Sequence, residues 1–178
     1  MAVRVEKPAF NLRSKLNQLD YDRVPYEKMP PGSIIQVVDH KANNSPTKTG
    51  NTYETITGCT FDVYPKLSTS KIFVSWDFGT EQNGALAGIA FRVYRNVNGT
   101  DTLLKTQDQL TYSAASSWDN AAGGVNITYI DTPNSIGKLT YYLQWHVELS
   151  GTVYINYNDD SGTAAKDGIA AQAMEIRQ

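Results

Sequence analysis

Residues 139–149 read LTYYLQWHVEL. Leu139, Tyr141, Leu143, Trp145, Val147 and Leu149 share one phase of a two-residue alternation, while Tyr142, Gln144, His146 and Glu148 take the other. Successive strand side chains point to opposite faces, so this pattern predicts a strand with one face in a core. Ser150-Gly151 makes a tight turn into a second strand, TVYINYN at 152–158.

The same period recurs upstream. KIFVSWDF (71–78) places Ile72, Val74, Trp76 and Phe78 on one face and Phe73, Ser75 and Asp77 on the other. IAFRVYRNV (89–97) groups Ile89, Phe91 and Val93 against Ala90, Arg92 and Tyr94. Asn98-Gly99 then signals a type I′ hairpin into TDTLLK (100–105). Further strands are expected at IIQVVDH (34–40), TYETIT (52–57), FDVYP (61–65), VNITYIDTP (125–133) and IAAQAMEI (169–176). Polar or small-residue loops are expected at 41–51, 106–124 and 158–168. Short strands with turn signals between them predict an all-β, antiparallel sandwich, with a jelly roll as its variant.

Ahead of these strands the pattern changes. Asn11 is a suitable N-cap, and Leu12, Leu16 and Leu19 recur at helical spacing, with Arg13, Ser14, Lys15, Asn17 and Gln18 opposite. A short α-helix is therefore expected, below the ~12–15 residues an isolated helix needs in water. Its leucine stripe requires shelter, either on the chain's own sandwich or on a neighbouring subunit. YDRVPYEKMPPGS (21–33) holds Pro25, Pro30, Pro31 and Gly32 and reads as a stiff linker. The chain thus divides into an N-terminal anchoring arm, 1–33, and a sandwich domain, 34–178. Phe10, Leu12, Leu16, Leu19, Tyr21, Tyr26 and Met29 are the candidate partner-binding residues of the arm.

The chain has 178 residues and a formal net charge of −2. That size supports a core without staples. The near-neutral charge argues against nucleic acid or an anionic membrane as the main partner. Residues 1–28 carry six basic and four acidic residues, leaving ten basic and fourteen acidic in the remainder. The single cysteine, Cys59, rules out an internal disulfide and a cysteine-built zinc site. No apolar run approaches the ~20 residues of a membrane-spanning helix. MAVRVEKPAF has no apolar core of a secretory signal, so the glycosylation-type triplets at Asn43, Asn98 and Asn126 read as chance.

Chemistry-bearing motifs are scarce. His40 and His146 do not form a metal-ligand spacing. No nucleophile elbow or phosphate-cradling glycine loop occurs. Nothing near Cys59 supplies an oriented base. The loop Asn158-Asp159-Asp160-Ser161-Gly162 lacks the glutamate a calcium loop needs. The expectation is a non-enzyme without metal or cofactor. Two kinds of surface remain. Phe73, Tyr94, Tyr142 and Tyr154 lie in the phase opposite the core and are candidate oligomer-interface residues, covered either by the arm and loops or by other copies. Tyr112, Trp118, Asp119 and Asn120 fall in the 106–124 loop and are candidate glycan-binding residues, with Trp118 capping the sandwich as the plainer role.

KPAFNLRSKLNQLD, PYEKMPPGSIIQVV, STSKIFVSW, YIDTPNS and AMEI together resemble small virion structural proteins of tailed bacteriophages of marine bacteria and cyanobacteria, with modules similar to tail-fibre β-sandwiches. The resemblance implies a virion component, assembled in the host cytoplasm, that joins other tail, neck or capsid proteins through the arm. It implies a homotrimer, and the charge balance above adds the expectation of no nucleic-acid or membrane partner. A tail-fibre or neck-appendage part displaying its sandwich for host-surface glycan binding is the role it favours. A capsid decoration protein and a carbohydrate-binding module are the alternatives.

Overall fold

The computed structural model describes residues 25–83, 87–112, 121–149, 151–158, 163–164 and 168–178. Phe10, Leu12, Leu16, Leu19 and Tyr21, with the short helix expected around them, lie outside the described residues. Among the described residues the one helical segment is a 3-10 turn, Tyr26–Lys28.

Among the described residues all other regular structure is strand. In chain order these are β1 (Ile34–Ala42), β2 (Thr47–Thr49), β3 (Glu54–Thr55), β4 (Phe61–Val63), β5 (Lys71–Asn83), β6 (Ala87–Val97) and β7 (Thr100–Tyr112). There follow β8 (Ala121–Asp131), β9 (Leu139–Leu149), β10 (Thr152–Ile155), β11 (Tyr157–Asn158), β12 (Thr163–Ala164) and β13 (Ile169–Ile176). They form two antiparallel sheets and a small β11–β12 hairpin. In sheet A, β5 pairs with β8 on one flank. Its other flank is shared: β13 pairs along Lys71–Asp77 and β10 along Thr80–Asn83. β1 and β2 lie outside β13 and β10. In sheet B, β6 lies between β7 and β9, and β4 and β3 share the far flank of β9.

The pairing is a nested ribbon. β1 pairs with β13, the β3–β4 pair with β9, β5 with β8 and β6 with β7. The tip of the ribbon is the turn at Asn98-Gly99, where φ is 51° and 84°. That is the type I′ geometry an Asn-Gly pair adopts readily. These four pairs alternate between the sheets, the jelly-roll topology, and the short β2–β10 pair adds to sheet A.

The alternating apolar phases meet between the sheets. Trp76, Trp145, Tyr141, Phe91, Ile72, Ile89, Leu139 and Leu143 are fully buried. Each such side chain stabilises by roughly 1.5–3 kcal/mol relative to exposure. A polar clamp crosses one end of this core. Arg95 Nη1, from β6, donates to both carboxylate oxygens of Asp131, on β8, at 2.8 Å, and the Tyr141 hydroxyl donates to Oδ2 at 2.8 Å.

Some boundaries differ from the sequence expectation. β7 continues to Tyr112 and β8 starts at Ala121, so strand occupies much of the expected 106–124 loop. The cause is the ladder: Gln107 and Thr111 remain opposite Phe91 and Ile89 through two register shifts, and Ala121–Gly124 stay opposite Gly79–Gln82. Partner strands outweigh the low β-propensity of those small residues. Conversely, 52–57 and 61–65 shrink to β3 and β4, because Gly58 at φ 91° turns the chain between them. The chain passes from β9 in sheet B to β10 in sheet A, so these two strands do not pair as a hairpin.

Candidate functional site

The outer face of sheet A is built by register. Val38, Ala173, Val74 and Tyr129 are opposite one another on β1, β13, β5 and β8, and pack in or against the core. One residue along, Val37, Met174, Phe73 and Ile130 are likewise opposite one another. Directly opposed residues share a face, so these four form an apolar row on the outside, across four of the sheet's six strands. Val37 is 48% exposed and Ile130 56%, while Met174 and Phe73 are half-buried. Ile34 extends the apolar surface at the β1 edge and is 51% exposed.

Beyond the row the face becomes polar. Asp39, Gln172, Ser75 and Thr128 make the next line, and Lys41, Ala170, Asp77 and Asn126 the line after it. Small side chains at Ser75 and Ala170 leave a groove of about 480 Å³ there, with Asp39, Lys41, Asp77 and Asn126 on its walls. Gln172 Nε2 donates to Asp39 Oδ1 at 2.7 Å across it.

At the apolar end a strap is tied to β13. Gly32 N donates to Arg177 O at 2.8 Å, Arg177 N to Ser33 O at 2.9 Å, and Arg177 Nη2 to Glu27 O at 2.6 Å. Tyr26 is 40% exposed and Met29 half-buried on this strap. The chain therefore enters the sandwich beside Ile34 and Ile176, the neighbours of the apolar row.

The outer face of sheet B is aromatic and polar. Tyr94 and Tyr142 are cross-strand partners, stacked with centroids 5.2 Å apart and planes 7° apart. Further along, Arg92 Cζ lies 3.6 Å from the Tyr53 ring centroid, and His146 meets the same ring edge-on at 4.2 Å. Arg92 Nε and His146 Nδ1 are buried there without a hydrogen-bond partner among the described residues. Burial, and then the Asp101 carboxylate, push the Tyr142 phenol up to about 12. The folded chain thus holds this proton more tightly than the unfolded chain, whose phenol titrates near ~10. The associated stability is complete below about pH 10 and is lost as pH rises through about 12. Ultraviolet titration should show Tyr142 and the buried Tyr141 both ionising late, and Asp101→Asn should bring the Tyr142 midpoint down. An unchanged midpoint would refute the Asp101 contribution.

The four outer aromatics fall into two pairs. Phe73 and Tyr154 lie on sheet A strands and Tyr94 and Tyr142 on sheet B strands. Tyr112 ends β7, opposite Gly88, while Trp118, Asp119 and Asn120 lie outside the described residues. Val37, Met174 and Ile130 escaped sequence reasoning; each is an apolar residue in an outward phase, and only the register joins them to Phe73. Cys59 is fully buried, its carbonyl accepting from Trp76 Nε1 at 2.8 Å, and burial pushes its thiol well above the ordinary range. Among the described residues no cluster of three His, Cys, Asp or Glu could hold a metal ion.

No protein-family model matches the chain, and no curated protein matches it. Among solved structures it is similar to the infectious bursal disease virus VP2 subviral particle, at 9% identity and a TM-score of 0.40, covering 80% of this chain and 37% of that one. It is also similar to the infectious bursal disease virus Gx strain structure, at 9% identity and a TM-score of 0.38, covering 86% and 41%. The chain spans roughly two-fifths of the length of those proteins. Superpositions this loose carry no functional argument, and a shared fold would not imply a shared function.

Proposed function

We propose that the chain is a virion structural protein of a tailed bacteriophage, a tail-fibre or neck-appendage component. It attaches through residues 1–33 and displays the 34–178 sandwich. The observation that carries this is the sheet A outer face, with an apolar row across four strands and the strap leading to the arm tied at its end. Contiguous exposed apolar surface of this kind marks an interaction site. The arm supplies the matching chemistry in Phe10, Leu12, Leu16, Leu19 and Tyr21. The sequence resemblance to phage virion proteins supplies the particle. No reaction is assigned: the one thiol is sealed in the core with its proton held.

A capsid decoration protein would use the same arm and sandwich, and copy number separates the two. Quantitative mass spectrometry of purified particles should find the chain at a small multiple of a trimer. A count approaching that of the major capsid protein would favour decoration. Absence from washed particles would end the virion assignment. Leu16→Asp, which places a charge on the leucine stripe, should leave the chain folded and strongly reduce its incorporation.

A further inference from the structure

We propose that the Val37–Met174–Phe73–Ile130 row receives the Leu12–Leu16–Leu19 stripe of a second copy of this chain, so that copies join arm to sheet, head to tail. This rests on the virion assignment above and gives the leucine stripe a partner within the oligomer, leaving the rest of residues 1–33 to join the particle.

The dimensions agree. Four neighbouring strands span three spacings, about 14 Å. Leucines seven residues apart on a helix span about 10 Å. A two-turn stripe therefore covers the row with little apolar surface left over on either side. The charges agree as well. The arm is net basic and the remainder net acidic. Arg13 and Lys15 flank the stripe on opposite sides of the helix, so one of them would face the groove beside the row, where Asp39 and Asp77 outnumber Lys41.

The strap favours a neighbour over the chain's own sheet. Pro25 (φ −53°, ψ 139°) and Met29 (φ −65°, ψ 146°) both hold extended, polyproline-like backbone. Tyr26, Glu27, Lys28, Pro30, Pro31 and Gly32 are all exposed, and the strap is held at Arg177. A stiff, exposed connector suits a bridge between copies. An arm-to-sheet contact is heterologous, and such contacts close into a ring when the rotation permits. A ring of three fits the trimer implied by the resemblance.

Complementation tests this on the full chain. By light scattering at micromolar concentration the wild type should be a trimer. Leu16→Asp has a spoiled stripe and an intact row; Phe73→Asp has the reverse. Each alone should be monomeric, with unchanged β circular dichroism. Mixed in equal amounts they should form a two-chain species, the stripe of the Phe73→Asp chain on the row of the Leu16→Asp chain. A mixture that stays monomeric, a monomeric wild type, or a Phe73→Asp chain that still assembles would each overturn the proposal. If Phe73→Asp unfolds, Val37→Lys alters the same row at an exposed position and replaces it. A chain that passes this test yet is absent from particles keeps the contact and loses the virion assignment.

Discussion

Asp131→Ala should lower the unfolding free energy by about 3–5 kcal/mol, the cost of breaking a buried charge pair from one side. Asp131 has a side chain 6% exposed, and Arg95 one that is 15% exposed. The carboxylate holds Arg95 Nη1 through both oxygens and also accepts from the Tyr141 hydroxyl. Removing it strands a guanidinium and a phenol at the closed end of the core. Arg95 Nε already lacks a partner among the described residues, so the guanidinium has little else to turn to. The pair is not a large net source of stability, because both charges lose water. Replacing the group as a whole, Arg95→Met with Asp131→Leu and Tyr141→Phe, should recover most of the loss. Urea unfolding of the single and triple variants checks both halves. A single variant within 1 kcal/mol of wild type would show that the clamp is solvated and of little weight.

The clamp also marks how far the sequence is legible. Period-two alternation is local, so the core phases of β5, β6 and β9 are readable directly, and the Asn98-Gly99 tip follows from turn chemistry. Asp131 continues the inward phase of Val125, Ile127 and Tyr129, and a carboxylate there signals a buried partner. The sequence cannot name that partner, because Arg95 and Tyr141 arrive from the other sheet. Register is likewise non-local. Val37 reads as one more apolar residue in IIQVV, and Met174 as a minor side chain in AMEI. Only when β1, β13, β5 and β8 are aligned do they join Phe73 and Ile130. The same dependence on long-range pairing explains the small-residue tract entering β8. Alanines and glycines have no strand preference to read, yet β5 offers them a ladder.

The two sheet exteriors are equipped for different tasks. On sheet B the aromatics pair among themselves: Tyr94 with Tyr142, and Tyr53 with both Arg92 and His146. Such pairs contribute about 0.5–1.5 kcal/mol each beyond burial and leave less apolar area to cover. On sheet A the row lies beside a strap tied to its edge.

Glu175→Ala should cost about 3 kcal/mol and loosen that sheet A edge. Glu175 is 0% exposed, on the inward phase of β13, directly next to Met174. Its carboxylate accepts from the backbone amides of Lys66 and Leu67 at 2.9–3.0 Å and from Gln36 Nε2 at 2.7 Å. The same Gln36 nitrogen donates to Tyr64 O. One side chain thereby ties β1, β13 and the loop after β4 together, near the point where the strap meets Arg177. Hydrogen bonds to a charged acceptor contribute about 1.5–3 kcal/mol each, so losing three would exceed the stated cost. The desolvation penalty of the buried carboxylate is recovered when it is deleted, which brings the net loss down to about 3 kcal/mol. Glu175→Gln keeps the shape but turns an amide donor toward at least one backbone N–H, so it should recover under half of the loss. Hydrogen exchange should locate the damage: the Lys66 and Leu67 amides should lose protection first, with β6 and β9 little changed. Uniform loss across both sheets would show instead that Glu175 supports the whole core. If the edge alone loosens, the Val37–Met174 end of the row loses its backing, and trimer formation should weaken with it even though every residue of the row is intact.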